Sequence, residues 1–353
     1  METPITIGTT LSSVNVQTTS DIVSDNKSLH EALNRAVKLA IELAQRHRYT
    51  AIHRRAQDLA SRLKDSVLNI VVLGEFKRGK SSIINALLGA KILPTAVIPT
   101  TSVVTTIKFG NIPRACVELQ SGHRFYADLE KIDEYITEDL NPNNQKGVKQ
   151  VEIEYPAKLL SENVRLIDTP GIGSTYLHNT QTTRAFLEEA DAVLFVFSAD
   201  QPATEAELSL LKESSTFSVH TFLVQNKADQ LLQEELETSK RFLEHAITKE
   251  FQGQKTKVYA VSARRVFEVA AEGSNKRIYG NLFDFCSLYT DFEAFTTHER
   301  RQFFIESAII HARLLLTQID ANAHAKRPGG RIQFGRGCAL KTAGSQDKNR
   351  LIA

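Results

Sequence analysis

The stretch that most constrains this chain is Asn69-Ile-Val-Val-Leu-Gly74, followed at once by Glu75-Phe-Lys-Arg-Gly79-Lys80-Ser81. The apolar run ending in glycine reads as a buried parallel strand. The residues behind it fit G-x-x-x-x-G-K-[ST], a loop that cradles phosphate between a strand and a helix. The chemistry needs each part. Successive backbone N–H groups across Glu75, Phe76, Lys77, Arg78 and Gly79 wrap a β-phosphate, and glycine keeps a side chain out of the way. Lys80 neutralises β- and γ-phosphate charge, and the Ser81 hydroxyl is a ligand for Mg²⁺. From Ser82 to Leu88 the chain continues as a helix whose positive end faces the anion.

Further short apolar runs recur at 103–107, 164–167, 192–197, 221–225 and 257–261, with helical patterns between most of them, as at 182–190, 203–213 and 229–247. Strand–helix alternation of this kind predicts an α/β fold with a doubly wound, mostly parallel sheet. At the N-terminal side, Ser28-Leu-His-Glu31 reads as a capping box that starts a helix. Leu29, Ala32, Leu33, Ala36, Val37, Ala40, Leu43 and Ala44 then recur at helical spacing, and Ile52, Ala56, Leu59 and Leu63 resume the stripe, as one long helix or two. A second apolar helical stretch runs over 292–319, through Phe295, Phe304, Ala308, Ala312, Leu315 and Ile319.

Two of the later strands end in residues that complete a nucleotide pocket. Asp168-Thr-Pro-Gly171 follows Val164–Ile167, where the aspartate holds Mg²⁺ through water and the glycine N–H senses a γ-phosphate. Asn226-Lys-Ala-Asp229 follows Thr221–Gln225 and selects the base. Guanine presents N1–H and N2–H₂ donors, both of which the Asp229 carboxylate accepts, whereas adenine sets an acceptor against it. Asn226 is expected to tie this loop to the phosphate loop, and the Lys227 stem to cover the base plane. Ser262-Ala263-Arg264 offers backbone N–H groups to the guanine O6. A threonine that closes over the γ-phosphate and ligands Mg²⁺ is expected between the first two motifs, with Thr101 preferred and Thr100 the alternative.

Composition narrows the class further. Apolar residues make up 42% and charged residues 24%, ordinary for a globular chain. Three widely spaced cysteines, Cys116, Cys286 and Cys338, form neither a disulfide framework nor a paired-cysteine zinc site. The formal charge of +2 is local, because seven Lys or Arg fall within 326–353 and the rest of the chain is slightly acidic. Global basicity therefore gives no sign of a nucleic-acid partner. The longest apolar run, Ala192 to Phe197, is far too short to span a bilayer.

Taken together, Gly74-Glu-Phe-Lys-Arg-Gly-Lys-Ser-Ser-Ile-Ile-Asn-Ala-Leu-Leu-Gly89, the stretch Leu93-Pro-Thr through Thr100-Thr101-Ser102 to Ile107, and Asp168-Thr-Pro-Gly-Ile-Gly-Ser174 resemble the dynamin-like large GTPases, particularly the bacterial ones. The likeness covers about 28–320. It implies a flexible head over 1–27, a helical neck segment over 28–66, a dynamin-type GTPase domain over 67–290, a second neck helix over 291–322 and a basic disordered tail over 323–353. The long interval between Thr101 and Asp168 is similar to the enlarged GTPase domain of that family, with an insertion around 110–160.

The resemblance further implies GTP as substrate and GDP as product, Mg²⁺ as cofactor, and hydrolysis stimulated by head-to-head homodimerisation across the nucleotide face. It also implies linkage to membrane remodelling, a cytoplasmic chain peripheral at the inner membrane face, and a companion dynamin-like chain supplying the stalk and paddle missing here. Lys80, Thr101 and Lys77 are the expected catalytic residues, and Ser81, Thr101 and Asp168 the expected metal ligands. Eukaryotic dynamins place Gln and Ser where this chain has Phe76 and Lys77, and Ile172 follows Gly171 in place of a water-orienting glutamine. The lone monomer is therefore expected to hydrolyse slowly. The other readings are a ribosome-assembly switch GTPase that uses its tail on RNA, and a GTP-dependent dimerisation module with little turnover.

Overall fold

The computed structural model describes residues 19–95, 103–160, 163–171, 186–251, 256–271 and 283–325, with side chains from Leu29 onward. The head before Thr19, Thr100, Thr101, Ile172 and the tail after Ala325 lie outside the described residues.

The N-terminal apolar stripe forms two helices, α1 (Thr19–Arg46) and α2 (Thr50–Asp65). Between them the backbone turns at Arg48, where φ is 57°. Helix α1 starts nine residues before the expected cap, so Ser28 and Glu31 lie inside it. One face of each helix buries the predicted residues, Leu33, Val37, Ala40 and Ala44 on α1 and Ile52, Ala56, Leu59 and Leu63 on α2. Leu29 and Ala32 stay exposed.

The central element is a nine-stranded sheet. In chain order the strands are β1 (Leu68–Leu73), β2 (Thr105–Phe109), β3 (Arg114–Leu119), β4 (Arg124–Ala127), β5 (Val148–Tyr155), β6 (Val164–Asp168), β7 (Ala192–Ser198), β8 (His220–Asn226) and β9 (Val258–Ala260). Across the sheet they run β4-β3-β5-β2-β6-β1-β7-β8-β9. From β6 to β9 every pairing is parallel. The strands β1, β7 and β8 are buried at every position, as expected of strands covered on both faces.

The insertion around 110–160 makes the sheet mixed. It supplies β3, β4 and β5, which the run-by-run reading of the sequence did not anticipate. Strand β2 runs antiparallel to β6, and β3 antiparallel to both β4 and β5. The inward residues Ala115, Val117, Val151 and Ile153 alternate with polar ones, the pattern of strands covered on one face only.

Helices cover the parallel part on both sides. On one face Ile70, Val72, Leu194 and Val224 pack with Ile83, Ile84 and Leu87 of α3 (Lys80–Leu88). A short α4 (Asp133–Ile136) lies in the insertion. On the other face Val71, Phe195 and Leu223 pack with Leu210 and Leu211 of α5 (Glu205–Ser214) and Leu243 and Ile247 of α6 (Gln233–Glu250). Helix α7 (Ala263–Ala271) lies beside α3.

The expected helix over 292–319 is instead α8 (Phe285–Ala294), a π-helical turn at Phe295–Glu299, and α9 (Arg300–Ala325). An aromatic cluster sits at that turn. The Phe295 ring lies 4.9 Å from both His220 and Phe303, and 5.4 Å from Phe222. Helix α9 then packs with α1 and α2, burying Phe304, Ala308, Ala312, Leu315 and Ile319.

A buried polar joint fixes α2 and α9 to the sheet. Asp191, fully buried just before β7, accepts from Arg62 of α2 at 2.7 Å, from Ser307 of α9 at 2.6 Å, and from the Asn69 N–H of β1 at 2.7 Å. His311 of α9 lies 3.7 Å from the same carboxylate; burial pushes it down to about 4, so it is neutral near pH 7. Arg62 also reaches the half-exposed Asp58 at 3.1 Å. Asp191→Ala would strand a buried guanidinium, and a loss of about 3–5 kcal/mol is expected. Asp58→Ala, at a surface i,i+4 pair, should cost about 0.5 kcal/mol or less. Denaturant melts of the two variants compare them directly, and equal losses would contradict the joint.

Candidate nucleotide-binding site

The C-terminal ends of β1, β6 and β8 and the start of α7 surround a cavity of about 540 Å³. That lies within the usual range for a small-molecule site. Phe76, Lys77, Gly79, Lys80, Ser81 and Ser82 line it from the phosphate loop, and Gly171 from the end of β6. Across the opening stand Asn226, Lys227, Asp229, Ala263 and Arg264. Residues from separate sequence motifs therefore share one cavity, with Lys80 on one wall and Asp229 on another.

The phosphate loop takes its shape from glycine. Gly79 has φ of 90°, and a methyl group on it would come within 2.3 Å of Asn226 Nδ2. Ile83 donates its N–H to the Gly79 carbonyl at 3.0 Å, which starts α3 at the loop. Gly171 packs so closely that a Cβ would meet the Phe76 Cα at 2.7 Å and Lys80 Nζ at 3.0 Å. This leaves backbone N–H groups, the Lys80 ammonium and the N-terminus of α3 around one small volume, a cradle suited to an anion.

Lys80 Nζ donates to the carbonyls of Gly74 and Glu75, each at 3.2 Å. Burial pushes this ammonium down to about 8, against the pull of Asp168 and Glu207. Ser81 donates its hydroxyl to Asp168 Oδ2 at 2.7 Å. Both are buried, Ser81 on the cavity wall and Asp168 bonded behind it, and together they supply hard oxygen donors, which suits Mg²⁺. Among the described residues no group of three or more His, Cys, Asp or Glu is placed to hold a metal ion. A magnesium ion that keeps several waters and phosphate oxygens needs no such group.

The base-reading side is held as expected at Asn226. Its Nδ2 donates to the Arg78 carbonyl at 3.1 Å, and its Oδ1 accepts from the Ala263 N–H at 3.2 Å. That second bond engages the Ala263 N–H, one of the backbone groups expected to face a purine O6. Lys227 adopts φ of 64°, and its ammonium lies 3.4 Å from Asp200. The Asp229 carboxylate accepts from the Ser262 hydroxyl and, at 2.7 Å, from the exposed Arg264 guanidinium. The side chains of Ser262 and Arg264 thus meet Asp229 itself.

Two phosphate-loop residues turn their side chains away from the cavity. The Arg78 guanidinium is buried against Glu207 of α5 with bonds of 2.8 and 2.9 Å, and Glu75 bonds to Arg78 at 3.1 Å and Thr204 at 2.6 Å. Lys77 is exposed, with its ammonium 5.3 Å from the centre of the Phe76 ring. The sequence reading missed Pro94, Thr95 and Gln230 on the cavity wall, and Asp200, Gln201, Thr204 and Glu207 behind it. Thr204 and Glu207 carried a legible signal, the T-x-x-E spacing of a capping box, which is present at the start of α5.

Comparisons with known proteins agree with this geometry. Residues 70–228 match the model of the dynamin family. An uncharacterized protein from the xynA 3′ region of Caldicellulosiruptor sp. strain Rt8B.4 is 38% identical over 62% of this chain and 54% of its own length. Dynamin-like protein 2 of Campylobacter jejuni is 28% identical over 63% of this chain and 35% of its own. The chain thus spans about half or less of these relatives' lengths. A solved structure from an oligomerised bacterial dynamin pair aligns with 84% of this chain and 48% of its own, at a TM-score of 0.53 and 20% identity, which supports the fold. No helix among the described residues is long and apolar enough to cross a membrane. The family match lies across the cavity's own motifs: residues 70–228 carry a dynamin-family region, and the chain is similar to the bacterial dynamin-like proteins.

Proposed function

We propose that this chain binds GTP with Mg²⁺ in the 540 Å³ cavity and hydrolyses it to GDP and phosphate. The observation that carries the reading is that Lys80 and Asp229 line one cavity from different strand ends. Lys80 neutralises phosphate charge, the loop N–H groups from Glu75 to Ser81 and the N-terminus of α3 hold the phosphates, and Gly171 stands beside the γ-phosphate. Ser81 and Asp168 are the residues that would hold Mg²⁺, with Thr101 or Thr100 as a further ligand. When bound, the ion neutralises charge developing on the phosphate oxygens.

Asp229 reads guanine. The Arg264 guanidinium now on its carboxylate offers N–H donors, as the guanine edge does, and entry of the base exchanges one donor set for the other. Lys227 and Ala263 border the base, and Asn226 keeps their loops together. Lys77, exposed on the cavity lining, would meet charge on a second molecule. We take the cycle to run through a homodimer across this face and to serve membrane remodelling. The helices α1, α2 and α9 form the neck that joins this domain to a longer stalk, in this chain or a companion.

Lys80→Ala should weaken GTP binding by about 10–100-fold, the worth of a hydrogen-bonded charge, as read by calorimetric titration. Unchanged affinity would remove the phosphate-loop assignment. The Lys80 ammonium also sets a pH dependence. Below about 8 it is charged with or without nucleotide, so affinity is flat. Above that, phosphate raises its pKa and binding takes up a proton, so affinity should fall about fivefold between pH 8 and 9 and approach tenfold per unit beyond.

Asp229→Asn should shift preference from GTP toward xanthosine triphosphate, because an amide donates where the carboxylate only accepts; a competition assay with both nucleotides measures it. Turnover per molecule should rise with protein concentration through about tens of micromolar, as dimer populates by mass action. A flat, negligible rate over that range would leave only the binding module.

A further inference from the structure

Arg78 occupies the position before Gly79, where a cation is easily taken for a phosphate ligand. Its side chain does something else. It is 2% exposed, and its guanidinium grips Glu207, itself fully buried, through Nε at 2.8 Å and a terminal nitrogen at 2.9 Å. The remaining donors reach Gln201 at 2.8 Å and Glu75 at 3.1 Å.

The partners close a ring. Thr204 donates its hydroxyl to Glu75 at 2.6 Å, accepts from the Glu207 N–H at 3.1 Å, and gives its own N–H to Glu207 at 3.1 Å. Glu75 and Arg78 belong to the phosphate loop, and Thr204 and Glu207 to the start of α5. Burial pushes the Glu207 carboxyl above its usual range, opposed by the Thr204 N–H and by Arg78. A buried ring of this kind is rigid when every member is satisfied and costly when one is missing.

The ring also reaches the base side by two routes. The Arg78 carbonyl accepts from Asn226, and Gln201 follows Asp200, which pairs with Lys227. We propose that Arg78 is a positioning residue that shapes the phosphate loop from behind, through Glu207, Thr204 and Glu75, and locks it in register with the base-reading loop, rather than donating charge to the nucleotide. This rests on the cavity being a GTP site. Because the side chains of the ring lie off the cavity wall, its loss affects GTP and GDP alike and leaves the chemical step to residues that touch the phosphates.

The test measures GTP and GDP affinity and saturated turnover for the wild type, Arg78→Met, Arg78→Lys and the double variant Arg78→Met/Glu207→Gln. Arg78→Met should weaken both nucleotides equally, by about tenfold or more, with kcat at saturation within about threefold of wild type, because it leaves buried carboxylates without their cation. The double variant should recover much of that loss, since the neutral amide no longer needs a cation. Equal GDP affinity with a collapse of kcat would make Arg78 a direct participant and overturn the proposal. So would wild-type affinity in Arg78→Met, or no recovery in the double variant.

Should Arg78→Met fail to fold, Arg78→Lys keeps the charge without the two-point grip and should show the same parallel loss in milder form; wild-type behaviour there overturns the proposal. A wild-type chain that binds no GTP would instead refute the site itself, whatever the variants do.

Discussion

One side-chain amide connects the pieces of this site. Asn226 gives its N–H to the carbonyl of Arg78 and takes the N–H of Ala263, so a single residue at the end of β8 spans the phosphate loop and the start of α7. The approach is so close that position 79 has no room for a side chain. Three loops from distant parts of the sequence are thereby held to one another by the protein's own groups. For the proposed nucleotide such preorganisation matters because its phosphates and base would meet different loops, and binding energy is lost if either must be assembled on demand.

Much of this was legible in the sequence. The glycine–lysine–serine loop, the strand-end Asp168 and Asn226 through Asp229 could be read because each is a fixed set of residue types required by phosphate, metal or base chemistry. The buried parallel strands β1, β7 and β8 could be read because both faces are covered, which makes them continuously apolar. The side-chain directions of Glu75 and Arg78 could not, since the phosphate-loop pattern constrains the backbone at those positions and leaves the side chain to tertiary partners. Arg78 finds Glu207, more than a hundred residues away, and nothing local announces it.

The mixed half of the sheet was also missed, for a different reason. Strands β3 to β5 are covered on one face and alternate apolar with polar residues, so they present no run to catch the eye. The break between α1 and α2 falls at Arg48, without glycine or proline, and the wide turn at Phe295–Glu299 sits inside an uninterrupted apolar period. At the second of these the surroundings are visible: the turn at Phe295 brings three phenylalanine rings onto His220 and Phe222 at the foot of β8.

The link from α2 to β1 is only Ser66 and Val67, and the strand it feeds runs straight into the phosphate loop. With Arg62 and Asn69 both clamped to Asp191, there is no slack in this joint. The helix and the strand behave as a crank and its shaft: torque applied to α2 by anything attached beyond it is delivered along some 20 Å of β1 to the cradle at its far end. A pull on the helices is therefore felt at the cradle, and a change in the cradle is returned to the helices as leverage.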